Sequence, residues 1–209
     1  MMNTNRSFIY VVDDDVSIGR ALSMLLSAHG YRVEIFTSAA DFLAYQHPVA
    51  ASCLILDIRL PNINGFALQE IMAQRGIIIP IVFITGHGSI SMSVKAMKAG
   101  AIDFLPKPFT DKEMLDAVLL ALTKSRVLNK KYHEMASIQK RIRSLSPREL
   151  EVFEFIARGM LNKQIASKRG TSLQTIKVHR SRVMQKMQAK TVTELIQMYA
   201  LAGITPAKD

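Results

Sequence analysis

The chain has 209 residues, 49% of them hydrophobic and 21% charged, and a net charge of +10; this composition excludes disordered, collagen-like and low-complexity proteins. Its single cysteine, Cys53, excludes an intramolecular disulfide and a zinc site built from several thiolates. Because the longest apolar run, Ile77 to Ile84, is far shorter than the roughly 20 residues of a membrane span, and no signal-peptide core precedes it, we predict a cytoplasmic protein without a membrane partner.

The positive charge is concentrated at one end of the chain. Residues 1–125 carry 10 Lys+Arg and 11 Asp+Glu, whereas residues 126–209 carry 17 and 6, a net charge of +11. A compact basic segment of this kind is typical of proteins that bind a nucleic-acid backbone. The alternatives are a solvated basic face, and an anionic membrane surface, which would call for a basic amphipathic helix with exposed aromatic residues.

Strand and helix patterns alternate through the first half of the chain. Helical periodicity separates five short runs of β-branched and aromatic residues. Several of these runs are almost uniformly apolar, as expected for strands covered by helices on both faces. We therefore predict an α/β domain with a doubly wound, five-stranded parallel sheet, whose strands are Phe8–Val12, Arg32–Phe36, Cys53–Leu56, Ile81–Thr85 and Ile102–Leu105.

A long helical pattern follows the last strand, starting near Thr110. Apolar residues then recur every seven positions at Leu128, Met135 and Ile142, which favours a helical connector. It is either a short coiled coil between two subunits or a solvated linker helix. We predict a first domain over residues 1–124, a helical linker over 125–143 and a small all-α domain over 144–209.

Acidic side chains follow two strands that are expected to be neighbours in the sheet. Asp13, Asp14 and Asp15 come after the first strand and Asp57 after the third. Two carboxylates about 5 Å apart repel by roughly 3 kcal/mol, so the cluster calls for a cation or a protonated member. Since no histidine or cysteine is near in the pattern, the oxygen ligands favour Mg²⁺ or Mn²⁺ over Zn²⁺.

Two further polar residues are predicted at the same sheet edge. Thr85 ends the fourth strand with a hydroxyl and Lys107 follows the fifth with an ammonium. Together with a nucleophilic carboxylate and a metal ion, these groups are what in-line phosphoryl transfer to an aspartate requires. Each residue alone has a simpler explanation, since an aspartate at a strand end is more often a helix cap.

These residues stand in motifs that resemble the receiver domain of two-component response regulators, which has a flavodoxin-like fold. The motifs are Val11 to Asp15, Leu56 to Pro61 with Gly65, Ile84 to Gly86, and Asp103 to Phe109. The resemblance implies that a histidine kinase phosphorylates Asp57. It also implies that Asp14, Asp57 and the backbone carbonyl of Arg59 bind Mg²⁺, with Asp13 acting through a metal-bound water.

The same resemblance implies a switch between two states. Thr85 and Lys107 would bind the phosphoryl group, Phe104 would be the aromatic residue that moves with Thr85, and Lys107-Pro108 would be a cis peptide. Val94 and Lys98 would lie on the surface through which phosphorylated subunits form a homodimer.

The basic segment has the pattern of a helix-turn-helix. Ser146, Pro147 and Glu149 make a capping box that starts a helix. A short helix, Lys163 to Arg169, and a longer one, Leu173 to about Met187, then follow around Gly170, and a fourth extends from Val192 to Leu201. The outer face of the longer helix would enter the major groove; it carries Gln174, Thr175, Lys177, Val178, Ser181 and Arg182.

Three motifs in this segment resemble the LuxR-type DNA-binding domain: Leu145 to Glu149, Gly159 to Ala166, and Thr175 to His179 with Lys186. The resemblance implies base contacts by Lys177 and Val178. The remaining predicted DNA contacts are Asn162, Lys163, Gln174, Thr175, Ser181, Arg182 and Lys186. With a receiver in front, the whole chain resembles transcriptional response regulators of the FixJ type.

The resulting hypothesis is a transcription factor that binds promoter DNA when phosphorylated and whose chemistry is limited to Mg²⁺-dependent self-phosphorylation and dephosphorylation at Asp57. An Mg²⁺-dependent phosphohydrolase of the haloacid dehalogenase type, with Asp13 as its nucleophile, is one alternative. A DNA-binding protein whose receiver is only a rigid scaffold is another.

Overall fold

Five parallel strands form a sheet with the order β2-β1-β3-β4-β5, so the strand order reverses between β1 and β3. The doubly wound parallel sheet predicted from the sequence is therefore confirmed. Its strands are β1 (Phe8–Val12), β2 (Arg32–Phe36), β3 (Ser52–Asp57), β4 (Ile81–Thr85) and β5 (Asp103–Pro106).

The computed structural model describes residues 7–48 and 50–203. The chain divides into two compact units, 1–130 and 131–209. Helices cover both faces of the sheet in the first unit and form the second: α1 (Val16–Ala28), α2 (Ala39–Ala44), α3 (Gly65–Gln74), α4 (Ile90–Lys98), α5 (Asp111–Arg143), α6 (Pro147–Ala157), α7 (Asn162–Lys168), α8 (Leu173–Met187) and α9 (Val192–Leu201).

The central strands are buried along their whole length. Every residue of β3 and β4 is buried, because side chains on both sides of these strands pack under helices. Alternate residues enter two different cores: Ile55 and Val82 pack with α1 and α5, whereas Leu54 and Phe83 pack with α2 and α3. Cys53 lies in the first core, fully buried, and burial raises the pKa of its thiol.

Two strands differ from the predicted bounds: β3 is one residue longer at each end, and β5 is displaced by one residue. β3 includes Asp57, which pairs in register with Ile84, and β5 extends to Pro106, which pairs with Thr85. The predicted bounds followed the apolar residues, which end before Asp57 and before Pro106. The backbone stays extended and paired at both of these residues. Asp57 is thus held in the sheet ladder rather than in the loop that follows it.

The heptad positions near the end of α5 have a partner within their own chain. Ile138 is buried in the core of the second unit with Val152 and Phe153, and Ile142 and Leu145 pack against the same core. Packing inside the second unit therefore accounts for Ile142, whereas Met135 is exposed, and the coiled coil between subunits stays a prediction.

The caps predicted for the second unit are present. Ser146 accepts a hydrogen bond from the Glu149 backbone N–H, and Glu149 accepts one from Ser146 in return. Helix α7 begins at Asn162, one residue before the predicted start, because Leu161 rather than Asn162 is its N-cap. Among the described residues no helix is long and apolar enough to span a membrane.

Candidate functional sites

The carboxyl edge of the sheet brings Asp13 and Asp57 together. Asp13 directly follows β1 and Asp57 ends β3, and these strands are paired with Val12 opposite Leu56. Both residues are buried, with exposed fractions of 1% and 6%. Lys107 Nζ donates to Asp13 Oδ2 at 2.7 Å and to Asp57 Oδ2 at 2.6 Å, so one ammonium bridges the two carboxylates.

The second oxygen of each carboxylate is held by the backbone. The Asp15 N–H donates to Asp13 Oδ1 at 2.9 Å, and the Arg59 N–H donates to Asp57 Oδ1 at 2.8 Å. Each carboxylate is therefore fixed between a backbone donor and the lysine. The two Oδ2 atoms both contact the ammonium group of Lys107.

The charges at this edge stabilise one another. Burial raises the pKa of Asp13, although the hydrogen bonds and charge of Lys107 oppose that rise. Burial by itself would lower the pKa of Lys107, but its contacts with Asp13 and Asp57 outweigh this effect and raise that pKa above the usual value. The ammonium therefore stays charged at neutral pH.

Thr85 and Lys107 are joined through the backbone. The Lys107 N–H donates to the Thr85 carbonyl at 2.7 Å, and Lys107-Pro108 is a cis peptide bond. Thr85 is fully buried, and its hydroxyl oxygen accepts a hydrogen bond from the His87 N–H at 3.3 Å. The hydroxyl and the ammonium that the sequence predicted at one edge thus lie at the ends of two adjacent strands: Thr85 is the last residue of β4, and Lys107 directly follows β5.

A Cβ atom on Gly65 or on Gly88 would crowd residues of the predicted site. A Cβ atom on Gly65 would lie 2.6 Å from the carbonyl oxygen of Asp57. A Cβ atom on Gly88 would lie 3.1 Å from Cε1 of Phe104 and 3.4 Å from Cγ2 of Thr85. Gly88 therefore permits the half-buried ring of Phe104 to lie against the loop after β4, a contact that the sequence did not reveal.

The other predicted metal ligands are less enclosed. Asp14 is exposed, and so is Arg59, whose backbone carbonyl was the third predicted ligand. Within residues 7–48 and 50–203 no group of three or more His, Cys, Asp and Glu side chains is arranged to hold a metal ion. A metal at this edge would have to rely on few carboxylates with carbonyl and water oxygens, which is the way that Mg²⁺ is usually bound.

The predicted dimer residues lie on the exposed side of α4. Val94 and Lys98 are exposed there, beside two apolar residues that the sequence analysis did not single out, Ile90 and Met97. Ile90, Val94 and Met97 have the spacing of one helix face. An apolar surface of this kind is suited to contact with a protein partner.

Helix α8 has one buried and one exposed face. Ile176, Val183 and Met187 are buried in the core of the second unit. The predicted DNA-reading residues of this helix are all exposed: Gln174, Thr175, Lys177, Val178, Ser181 and Arg182.

Two other predicted DNA contacts have partners inside the second unit. Lys186 Nζ donates to Glu149 Oε2 at 2.6 Å and to the Ser144 carbonyl at 3.0 Å. Asn162 Oδ1 accepts a hydrogen bond from Arg180 at 2.9 Å. The hydrogen bond from Lys186 lowers the pKa of the Glu149 carboxyl to about 2. Lys186 therefore contributes to the structure of the unit, and its contact with DNA stays a prediction. Lys163 is exposed.

Comparison with known proteins identifies a family for each unit. Residues 9–119 match the response regulator receiver domain, and residues 143–199 match the bacterial regulatory proteins of the luxR family. Nodulation protein W of Bradyrhizobium diazoefficiens is 42% identical over 202 residues, which cover 97% of this chain and 89% of the relative. The transcriptional regulatory protein FixJ of Azorhizobium caulinodans is 39% identical over 201 residues, 96% of this chain and 95% of the relative.

A solved structure supports the same comparison. The structure of response regulator StyR aligns with a TM-score of 0.80 and 40% sequence identity, covering 93% of this chain and 98% of that one. These matches give no support to the haloacid dehalogenase alternative.

Proposed function

Because this chain belongs to the two-component response regulators, with a receiver domain and a LuxR-type DNA-binding domain, we propose that a sensor histidine kinase phosphorylates it on Asp57. The protein is a phosphorylation-dependent transcriptional regulator. The proposal further assigns residues 1–124 to the receiver, 125–143 to a helical linker and 144–209 to the DNA-binding domain. It also places the protein in the cytoplasm, where its DNA target lies.

The observation that carries the proposal is the bridge from Lys107 to Asp13 and Asp57. In the transfer, an Asp57 carboxylate oxygen bonds to phosphorus while the phosphorus–nitrogen bond of phosphohistidine breaks, and the imidazole leaves with the electron pair. Lys107 then pairs with the phosphoryl oxygens, and Thr85 donates its hydroxyl to one of them. The same site supports slow self-phosphorylation from small donors and dephosphorylation by water.

The oxygen donors at this edge fit a hard divalent cation. Two buried carboxylates with converging oxygens repel one another unless a cation lies between them. Asp14, Asp57 and the Arg59 carbonyl would hold Mg²⁺ or Mn²⁺, with Asp13 acting through water. When bound, the ion would supply positive charge that offsets the charge of the carboxylates and of the incoming phosphoryl oxygens.

Phosphorylation would reach the dimer surface through Thr85 and Phe104. Thr85 is buried against the loop after β4, and Phe104 lies on Gly88 of that loop. A hydroxyl drawn toward a phosphoryl group vacates space that the Phe104 ring can fill, which repacks α4 and the exposed residues Val94 and Lys98.

A homodimer formed on that surface presents two copies of α8 to promoter DNA. The exposed α8 residues Lys177 and Val178 would contact bases, with Gln174, Thr175, Ser181 and Arg182 on the same face and Asn162, Lys163 and Lys186 beside it. Because the second copy then binds at high local concentration, dimerisation raises affinity without a new contact.

The test uses the full chain with acetyl phosphate and Mg²⁺. We expect a mass increase of one phosphoryl group on the peptide that contains Asp57, a shift from monomer to dimer in sedimentation, and tighter binding to promoter DNA. Asp57→Ala should show none of these changes. Asp116→Ala, which removes an exposed carboxylate of α5, is the matched control and should behave like the wild type.

Two other outcomes would overturn the proposal. A phosphoryl group on Asp13 would favour the phosphohydrolase. Normal, donor-independent DNA binding by Asp57→Ala would favour a receiver that acts only as a scaffold.

A further inference from the structure

A basic cleft of about 310 Å³ lies in the second unit beside α8. We call it the arginine cleft. It lies between α6, the turn from α7 to α8, and the first half of α8, and its lining includes Arg148, Glu151, Arg169, Thr175 and His179. Arg148, Glu151 and Arg169 are not among the DNA contacts predicted from the sequence.

The two arginines of the arginine cleft share a single carboxylate oxygen. Glu151 Oε2 lies 3.0 Å from a guanidinium nitrogen of Arg169 and 3.2 Å from one of Arg148. One negative charge faces two positive charges, so the group carries a net positive charge. Because a guanidinium has five N–H donors, a single shared oxygen leaves most of the donors available to a second anion.

The α8 wall of the arginine cleft adds two polar groups. Thr175 and His179 lie one helical turn apart, on the side of α8 that lines the cleft. Within the described residues, His179 Nδ1 is buried and has no hydrogen-bond partner. Thr175 Oγ1 lies 2.8 Å from Ser172 Oγ, and since either hydroxyl can be the donor, Thr175 can donate to an anion while it accepts from Ser172. The cleft therefore offers guanidinium, imidazole and hydroxyl groups to one small anion.

The position of Thr175 indicates which kind of anion the arginine cleft would bind. Thr175 belongs both to the arginine cleft and to the exposed α8 face that carries Gln174 and Lys177. An anion in the cleft therefore lies at the border of the face proposed to read base edges. On DNA, the group found at that border is a backbone phosphate, and guanidinium groups bind phosphate in a bidentate manner.

We infer that the arginine cleft holds one phosphate of the DNA backbone through Arg148, Arg169 and Thr175, and that Glu151 weakens this contact by pairing with both arginines. The inference rests on the proposed function, since it requires α8 to lie in the major groove. It makes Glu151 an internal competitor of the phosphate: the carboxylate and the phosphodiester contend for the same donors and repel each other.

The test measures binding of the full chain to a mixed-sequence DNA duplex over a series of salt concentrations. Each of Arg148→Gln and Arg169→Gln should lower the slope of log affinity against log salt, by at most about 1, because the single phosphate loses one of its two cationic partners. Glu151→Gln should bind about two- to fivefold more tightly, the size expected for an exposed ion pair. Lys112→Gln, which removes an exposed charge from the first turn of α5, is the control and should match the wild type.

Arg169→Lys separates a charge effect from a folding defect. It keeps the positive charge, so its salt slope should stay near that of the wild type while Arg169→Gln falls. If both glutamine variants at the arginines keep the wild-type slope, or if Glu151→Gln binds no more tightly, the inference is wrong. If the wild type itself shows no salt-dependent DNA binding, the proposed function fails instead.

Discussion

Lys107 donates a hydrogen bond of 2.6 Å to Asp57, the residue proposed to accept the phosphoryl group. The same ammonium contacts Asp13, so a cation already lies where the proposed metal would neutralise the two carboxylates. The Lys107 ammonium and the proposed Mg²⁺ would therefore compete for the carboxylate oxygens of Asp13 and Asp57, and this competition can be measured.

Lys107→Met should bind Mg²⁺ more tightly than the wild type. Removing the ammonium leaves Asp13 and Asp57 without their cation, so we expect the Mg²⁺ dissociation constant to fall by about tenfold or more. The rise in unfolding temperature across an Mg²⁺ titration gives the measurement. Lys112→Met removes an exposed cation from α5 and is the control, which should show the same rise as the wild type. If Lys107→Met also shows the wild-type rise, the ammonium and the metal do not share a position.

Gly88→Ala should weaken dimerisation of the phosphorylated protein without slowing the phosphorylation of Asp57. The added methyl group would lie 3.1 Å from the Phe104 ring, so the ring must move by a few tenths of an ångström. We expect Asp57 to accept the phosphoryl group at a rate close to that of the wild type, while the phosphorylated protein dimerises more weakly in sedimentation.

Gly86→Ala is the matched control for this variant. A Cβ atom on Gly86 meets nothing within 4 Å, so this variant should dimerise like the wild type. Equal dimerisation of the two alanine variants would show that Phe104 does not carry the signal.

Stability of the DNA-binding unit should fall in acid because of Glu149. The hydrogen bond from Lys186 lowers the pKa of this carboxyl from the usual 4.5 to about 2. A lowered pKa in the folded state means that the contribution is complete above about pH 4.5 and is lost as the pH falls toward 2. Glu149→Gln should therefore lower the unfolding free energy by about 1–2 kcal/mol at pH 7 and flatten its dependence on pH.

The measurement is denaturant unfolding of the full chain between neutral and acid pH. Glu134→Gln removes an exposed carboxylate of α5 and should keep the wild-type pH profile. A Glu149→Gln profile as steep as that of the wild type would assign the acid sensitivity to other carboxylates.

Sequence patterns were sufficient to predict the sheet and to predict that polar residues from several strands meet at one of its edges. Apolar runs predicted five strands, and the rule that parallel strands end at one edge brought Asp13, Asp57 and Lys107 together before any distance was known. The same patterns did not place Asp57 inside β3, because hydrophobicity ends one residue before the backbone ladder does.

Contacts between distant side chains were harder to foresee. The pairing of Lys186 with Glu149 and of Arg169 with Glu151 depends on how α6 packs against α7 and α8. No spacing along the chain encodes such a pair. The sequence therefore indicated a basic surface, while the structure shows which of its cations already have an internal carboxylate as a partner.

The single thiol of this protein is an internal probe of how closely two helices cover the sheet. Cys53 has no exposed surface in the middle of the receiver core, and burial holds its sulfur in the protonated, unreactive form. An alkylating reagent can therefore modify the folded protein only when the helices α1 and α5, which cover this face of the sheet, move away from it. Since β3 also carries Asp57, labelling the native chain with and without acetyl phosphate and Mg²⁺ measures whether they change how tightly these helices cover the strand.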